Sequence, residues 1–194
     1  MSSKVIDNLS VYIPILNEEK NIKLTLSKLT LFQSVYLIDS GSLDNTKAIS
    51  KEFKNVTVID TTLSSYFDKL KFATNHCKKD YIMLIDADYV LNEKLVKSIL
   101  KLNIDRNIHG YSSKIYFQIN KTIIREKIYP SKTFLFKNIY NYSEIGHKEC
   151  LNIPENKIKI LQGEIYHDDK KDFSYWFRSQ INIANKESDY IVYS

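Results

Sequence analysis

The stretch Asp80-Tyr81-Ile82-Met83-Leu84-Ile85-Asp86-Ala87-Asp88 decides the fold. Four aliphatic residues follow one tyrosine without a polar break, as expected of a strand buried on both faces, and the run ends abruptly in two carboxylates. A strand of this kind belongs inside a parallel sheet, and ligands of open parallel sheets bind beyond the carboxyl ends of the strands. Asp86 and Asp88 are spaced i, i+2, so on extended backbone they project to one side. Two hard oxygen donors held together repel unless a proton or a cation neutralises them, and such a pair suits Mg²⁺ or Mn²⁺ bridging to a diphosphate. The bland alternative is that Asp88 helps start a helix near Asn92.

Working outward, short apolar runs at 11–15, 35–38 and 56–59 predict three more strands. Helical periodicity predicts helices over 17–29, 42–53, 66–77 and 92–102, with Asn17 as a candidate N-cap of the first. The order βαβαβαβα argues for a mostly parallel sheet flanked by helices, an α/β architecture. The pattern then changes. Residues 110–120 and 122–128 read as a hairpin joined at Asn120-Lys121, 134–136 and 164–167 as further short strands, and 172–187 as a helix. The second part is expected to complete the same domain as an antiparallel C-terminal extension. The expectation is one domain over 1–194, with a nucleotide-binding half over about 9–105 and a catalytic half over about 106–194.

Composition excludes several classes. The chain has 194 residues and a net charge of +5, with 43% hydrophobic residues, 4 Gly and 3 Pro. This is not the composition of a collagen, a linker or a disordered segment. Of the 28 basic residues only Arg106, Arg125 and Arg178 are arginines, and the lysines are scattered among acids, so no nucleic-acid surface is expected. Cys77 and Cys150 match no zinc or disulfide framework, which fits a reducing, cytoplasmic setting. No apolar run reaches a membrane-spanning length, although a basic face suits peripheral association with the inner face of an anionic membrane.

Polar motifs follow three of the predicted strands: Asn17-Glu18-Glu19, Asp39-Ser40-Gly41-Ser42-Leu43-Asp44 and Asp86-Ala87-Asp88. Together with Val11-Tyr12-Ile13-Pro14-Ile15-Leu16 and Leu37-Ile38, these blocks resemble, in order and spacing, the N-terminal blocks of glycosyltransferase family 2, whose members have the GT-A fold. Gly146-His147-Lys148-Glu149 and Tyr166-His167 resemble the later blocks of a subgroup that includes lipopolysaccharide core glucosyltransferases.

The resemblance implies an inverting, metal-dependent transfer from a nucleotide-diphosphate sugar, UDP-sugars favoured, to a glycan or lipid-linked glycan acceptor of a bacterial surface polysaccharide. Pro14, Asn17 and Glu18 would line the nucleotide pocket, and Asp39 would take a hydrogen bond from the base. Asp86 would meet ribose or metal-bound water, Asp88 and His167 would hold Mn²⁺ or Mg²⁺, and Glu149 would be the catalytic base. Each has a plain alternative: N-capping for Asn17 and Glu18, a solvated carboxylate for Glu149, a surface histidine for His167. Where relatives carry Arg-Asn before the fourth strand, this chain has Lys69-Leu70-Lys71, leaving Lys71 to reach a phosphate as a point charge. Lys132 stands where the subgroup tends to place an arginine. Trp176 and Phe177 are expected to pack in the core rather than to form a sugar-stacking or membrane-facing surface. Two further readings stay open: a nucleotide-sugar-binding domain without turnover, and a sugar nucleotidyltransferase. The latter lacks its Gly-rich loop after the first strand.

Overall fold

In the computed structural model the first half runs β1 (Leu9–Ile15), α1 (Ile22–Ser27), β2 (Val35–Asp39), α2 (Thr46–Ser50), β3 (Val56–Asp60), α3 (Tyr66–His76) and β4 (Tyr81–Leu84). It continues with β5 (Tyr89–Leu91), α4 (Glu93–Leu100), β6 (Gly110–Ile119), β7 (Thr122–Ile124), β8 (Lys132–Lys137), β9 (Tyr142–Ile145), β10 (Lys148–Leu151) and β11 (Ile158–His167). The structure describes residues 4–119, 121–124, 130–145 and 148–172, and eight positions between 174 and 188, all eight helical.

The strands β3, β2, β1 and β4 lie side by side and parallel, and the sheet extends through β8, β6 and β11 to β5. β8 is antiparallel to β4 and β6, whereas β6 and β11 are parallel. β7 folds back on β6, and β9 and β10 form a separate hairpin. This is the α/β, GT-A type of sheet that the sequence leads one to expect, with antiparallel strands in its second half.

Alternation along the central strands explains the unbroken apolar runs. Val11, Ile13, Ile15, Leu37, Met83 and Ile85 face one core with Ile22 and Leu26 of α1 and Leu95 and Ile99 of α4. Tyr12, Ile38, Ile82 and Leu84 face the opposite side, against Leu70, Ala73 and Cys77 on and after α3. Both faces are covered, so both sets must be apolar. Each such side chain contributes about 1.5–3 kcal/mol by leaving water.

Several boundaries differ from expectation. The first helix begins at Ile22, not Asn17, because Asn17 takes a left-handed φ of 54° that no helix can include. The second covers 46–50 rather than 42–53, since Asp44 closes a turn by accepting from the Thr46 amide. Between Asp88 and α4 lies the unexpected β5, and the cap of α4 is Asn92, whose Oδ1 accepts from Leu95 N at 2.9 Å. This removes the helix-capping alternative for Asp88. β11 begins at 158 rather than 164, and the β9–β10 hairpin has no counterpart among the expected elements. The strand expected over 122–128 is observed to Ile124, and 125–129 lie outside the described residues. Phe177 is 53% exposed, so core packing is overturned for it; Trp176 lies outside the described residues.

Candidate active site

Pairing between β1 and β4 stops at Tyr12 and Leu84, three residues before β1 ends. Val11 N donates to Ser34 O beside β2, so the even-numbered amides of β1 face β4. The last bond between the two strands runs from Ile85 N to Tyr12 O at 3.3 Å. The next amide on that side would belong to Pro14, which has no N–H to give. The proline therefore sits where the ladder ends and costs no hydrogen bond.

The β1 and β2 loops are stitched together. Asn17 N donates to Ser42 Oγ at 2.9 Å, and Asn17 Oδ1 accepts from Leu43 N at 2.9 Å. Asn17 is thus a loop-to-loop tie. Asp39 is fully buried; it accepts from Ser42 N at 3.0 Å, from Ser42 Oγ at 2.6 Å and from Lys47 Nζ at 3.2 Å. Its carboxylate closes the turn that Gly41 makes possible with φ 94°. Glu18 accepts from Lys171 Nζ and from Asn21 Nδ2, the latter at 2.9 Å. Burial pushes its carboxyl above the usual range despite both partners.

The second cluster sits on the continuation of β4. Asp86 accepts from the Tyr66 hydroxyl and from Lys132 Nζ, the latter at 3.1 Å. Burial pushes its carboxyl up, but the Lys132 charge and these hydrogen bonds hold it below the usual range. Thr25 Oγ1 fixes the turn between the two aspartates by donating to Ala87 O at 2.6 Å. Asp88 Oδ2 lies 3.1 Å from His167 Nε2. The pair forms because β5 and β11 run antiparallel with His167 opposite Tyr89, and Asp168 N donates to Asp88 O at 3.0 Å. Burial pulls the imidazole down, and the adjacent Asp88 carboxylate overrides it, so the net shift is upward. Residues 79 apart in sequence thus meet at the carboxyl edge.

Asp88 and His167 offer one carboxylate and one imidazole nitrogen, a donor set that suits a divalent first-row cation taking further ligands from a diphosphate and water. No ready-made group of three or more His, Cys, Asp or Glu side chains occurs among the described residues.

Lys71 is not brought to this edge: it is exposed and lies over the Phe67 ring, 5.4 Å from the centroid. Its neighbour Lys69 turns inward instead, 5% exposed, and donates to Ile15 O at 3.0 Å. Burial lowers its pKa. Helical periodicity marks Leu70 and Ala73 as inward but ranks Lys69 as polar surface, so it escapes notice. Sequence reasoning also assigns no site role to Tyr66, Lys132 or Lys171. Glu149 lies in β10, its Cα opposite Glu144, in a hairpin whose Tyr142 packs on the Phe136 side of the sheet. Gly146 and His147 lie outside the described residues.

A family model described as "Glycosyl transferase family 2" matches residues 10–161. An uncharacterized glycosyltransferase of Rickettsia typhi is 26% identical over 179 residues, covering 82% of this chain and 59% of that protein. Another, of Rickettsia conorii, is 25% identical over 201 residues, covering 98% of this chain and 70% of that protein. Among solved structures, S. aureus TarS residues 1–349 superpose with a TM-score of 0.62 at 16% identity, over 92% of this chain and 65% of that one. The same TarS segment in complex with UDP-GlcNAc gives 0.62 at 15% identity, over 92% and 66%. These structural likenesses concern the fold.

Proposed function

This chain belongs to glycosyl transferase family 2, and from that premise we propose that it is an inverting, metal-dependent glycosyltransferase with a nucleotide-diphosphate sugar as donor. The observation that carries the reading is the meeting of Asp88 and His167 at 3.1 Å, beside Asp86, at the carboxyl edge of the parallel strands. A purely structural edge has no need to gather these groups from strands so far apart. UDP is the favoured nucleotide, given the family resemblance at Asp39 and the UDP-GlcNAc held by the similarly folded TarS. The acceptor we assign is a glycan or lipid-linked glycan of a bacterial surface polysaccharide, of the lipopolysaccharide-core type, with the whole of 1–194 acting as one domain in the cytoplasm. No helix among the described residues is long and apolar enough to cross a membrane. Contact with the inner membrane face is assigned as peripheral, through the basic surface.

In this reading Pro14, Asn17, Glu18 and Asp39 shape the base and ribose end of the donor pocket, with Lys69 as the buried cation beneath the β1 loop. Asp86 contacts ribose. A cation held by Asp88 and His167 supplies positive charge against the leaving diphosphate. Glu149 takes the proton of the acceptor hydroxyl while that oxygen bonds to the anomeric carbon and the bond to the diphosphate breaks. One displacement needs one base, unlike the carboxylate pair of glycoside hydrolysis.

A thermal-shift panel of nucleotide diphosphates, with and without Mn²⁺, tests the reading. A cognate nucleotide at about 100 times its dissociation constant stabilises by about 2.7 kcal/mol, or roughly 5–10 °C for a chain of this size. If no nucleotide diphosphate raises the melting temperature in either condition, the proposal fails.

A further inference from the structure

Asp86 is held by two partners whose chemistry differs. The Tyr66 hydroxyl comes from the first turn of α3, and the Lys132 ammonium from the first residue of β8. β8 runs antiparallel to β4, with Leu135 opposite Met83, so its first residue lies beside the chain leaving the carboxyl end of β4. The Lys132 side chain keeps 34% of its surface in solvent, and its Nζ rests 4.9 Å from the centroid of the Tyr89 ring. The stem is supported while the head keeps room to move.

Other described cations at this edge are tied to the scaffold. Lys69 donates to a strand-end carbonyl, Lys47 joins Asp39 to Asp60, and Lys171 pins Glu18. Lys132 stands on the strand next to the end of β4, and Asp86 keeps the Tyr66 hydroxyl as a partner when the ammonium leaves. A lysine on a flexible stem is a point charge that can follow an anion rather than grip it in one plane.

We infer that Lys132 is a diphosphate-binding residue, its ammonium exchanging Asp86 for a phosphate oxygen when the nucleotide enters. This deepens the glycosyltransferase reading and rests on it. The need is electrostatic. Asp86 and Asp88 make the floor anionic, and the diphosphate gains one negative charge as its bond to the sugar breaks. A cation arriving from β8 offsets that charge on the side away from the β1 loop, while Tyr66 keeps Asp86 oriented toward ribose.

The test is calorimetric titration of uridine, UMP and UDP, with and without Mn²⁺, into the wild-type chain, Lys132→Met and Lys132→Arg. A charge-assisted contact to phosphate predicts that Lys132→Met weakens UDP about tenfold or more while uridine changes by less than about twofold. Lys132→Arg should recover most of the UDP affinity. If Lys132→Met melts well below wild type, Lys132→Gln gives the same comparison. Equal weakening of uridine and UDP overturns the inference, because Lys132 would then act by shaping Asp86; so does unchanged UDP binding. A wild-type chain that binds no nucleotide overturns the glycosyltransferase reading and this inference with it, an outcome plainly distinct from the other two.

Discussion

Replacing Gly163 by alanine should strike at the geometry that makes the site. β11 shifts register between Ile160 and Glu164, and Gly163 sits in that irregularity with φ 108°. An added Cβ would lie 2.2 Å from Leu95 N and 2.5 Å from Leu95 Cα, the backbone of the first turn of α4. Two penalties combine. A side chain in that region of φ costs about 1–3 kcal/mol. Forcing apart packed backbone costs about 1–3 kcal/mol more. Gly41 is the internal control, because it has φ 94° but a Cβ added there would meet nothing within 4 Å. Gly41→Ala should therefore show the first penalty alone. Thermal melts followed by circular dichroism should place Gly163→Ala roughly 5–20 °C below wild type, at about 2–4 °C per kcal/mol, and clearly below Gly41→Ala. The register that Gly163 permits also sets His167 opposite Tyr89, so any Gly163→Ala protein that still folds should lose Mn²⁺-dependent nucleotide binding. A Gly163→Ala melt within about 2 °C of Gly41→Ala would refute the packing argument.

Three further outcomes are expected. Asp88→Ala should abolish the Mn²⁺-dependent part of nucleotide binding while leaving the melting temperature near wild type; unchanged metal dependence in calorimetry removes Asp88 from the cation site. Glu149→Gln should keep donor affinity within about threefold while transfer, or slow donor hydrolysis, falls by ~10²–10⁴, and retained turnover would count Glu149 out as the base. Lys69 is held below its ordinary pKa by burial, so its ammonium opposes folding at neutral pH, and that opposition fades as pH rises through the folded-state pKa toward the unfolded value of about 10.4. Urea melts of wild type and Lys69→Met at pH 7.5 and pH 10 should show the wild type gaining on the variant as pH rises, and the opposite trend would contradict the burial argument.

Much of the fold is legible in the chain itself. The 81–85 run has no polar break, so it has to be covered on both faces, and the apolar spacing of 66–77 already marks Leu70, Ala73 and Cys77 as the inward stripe of a helix. Those are local consequences of hydrophobic periodicity, and a parallel sheet with carboxylates at its edge follows from them. What the periodicity misses shares a physical cause. β5 has three residues, too few for any period to register, and it is a strand because Tyr89, Val90 and Leu91 find His167, Tyr166 and Ile165 as partners. β11 carries Lys159, Gln162 and Glu164 along an apolar ladder, so only 164–167 reads as a strand until β6 supplies the bonds that carry it back to Ile158.

The site divides the same way. Asp86 and Asp88 announce themselves by following an apolar strand, whereas the choice of Lys69 over Lys71 depends on a rotation of α3 that places one ammonium against Ile15 O and leaves the other over Phe67. Asn17 looks like a helix cap because its residue type favours caps, yet the loop from β2 offers Ser42 and Leu43 as partners and the backbone turns left-handed to meet them. Sequence alone determines which segments must be buried and where charge must surface, since burial of apolar groups is a property of the residues. Which charges face one another is decided by strand pairing across long separations, as with Asp88 and His167, and that pairing exists only in the folded chain.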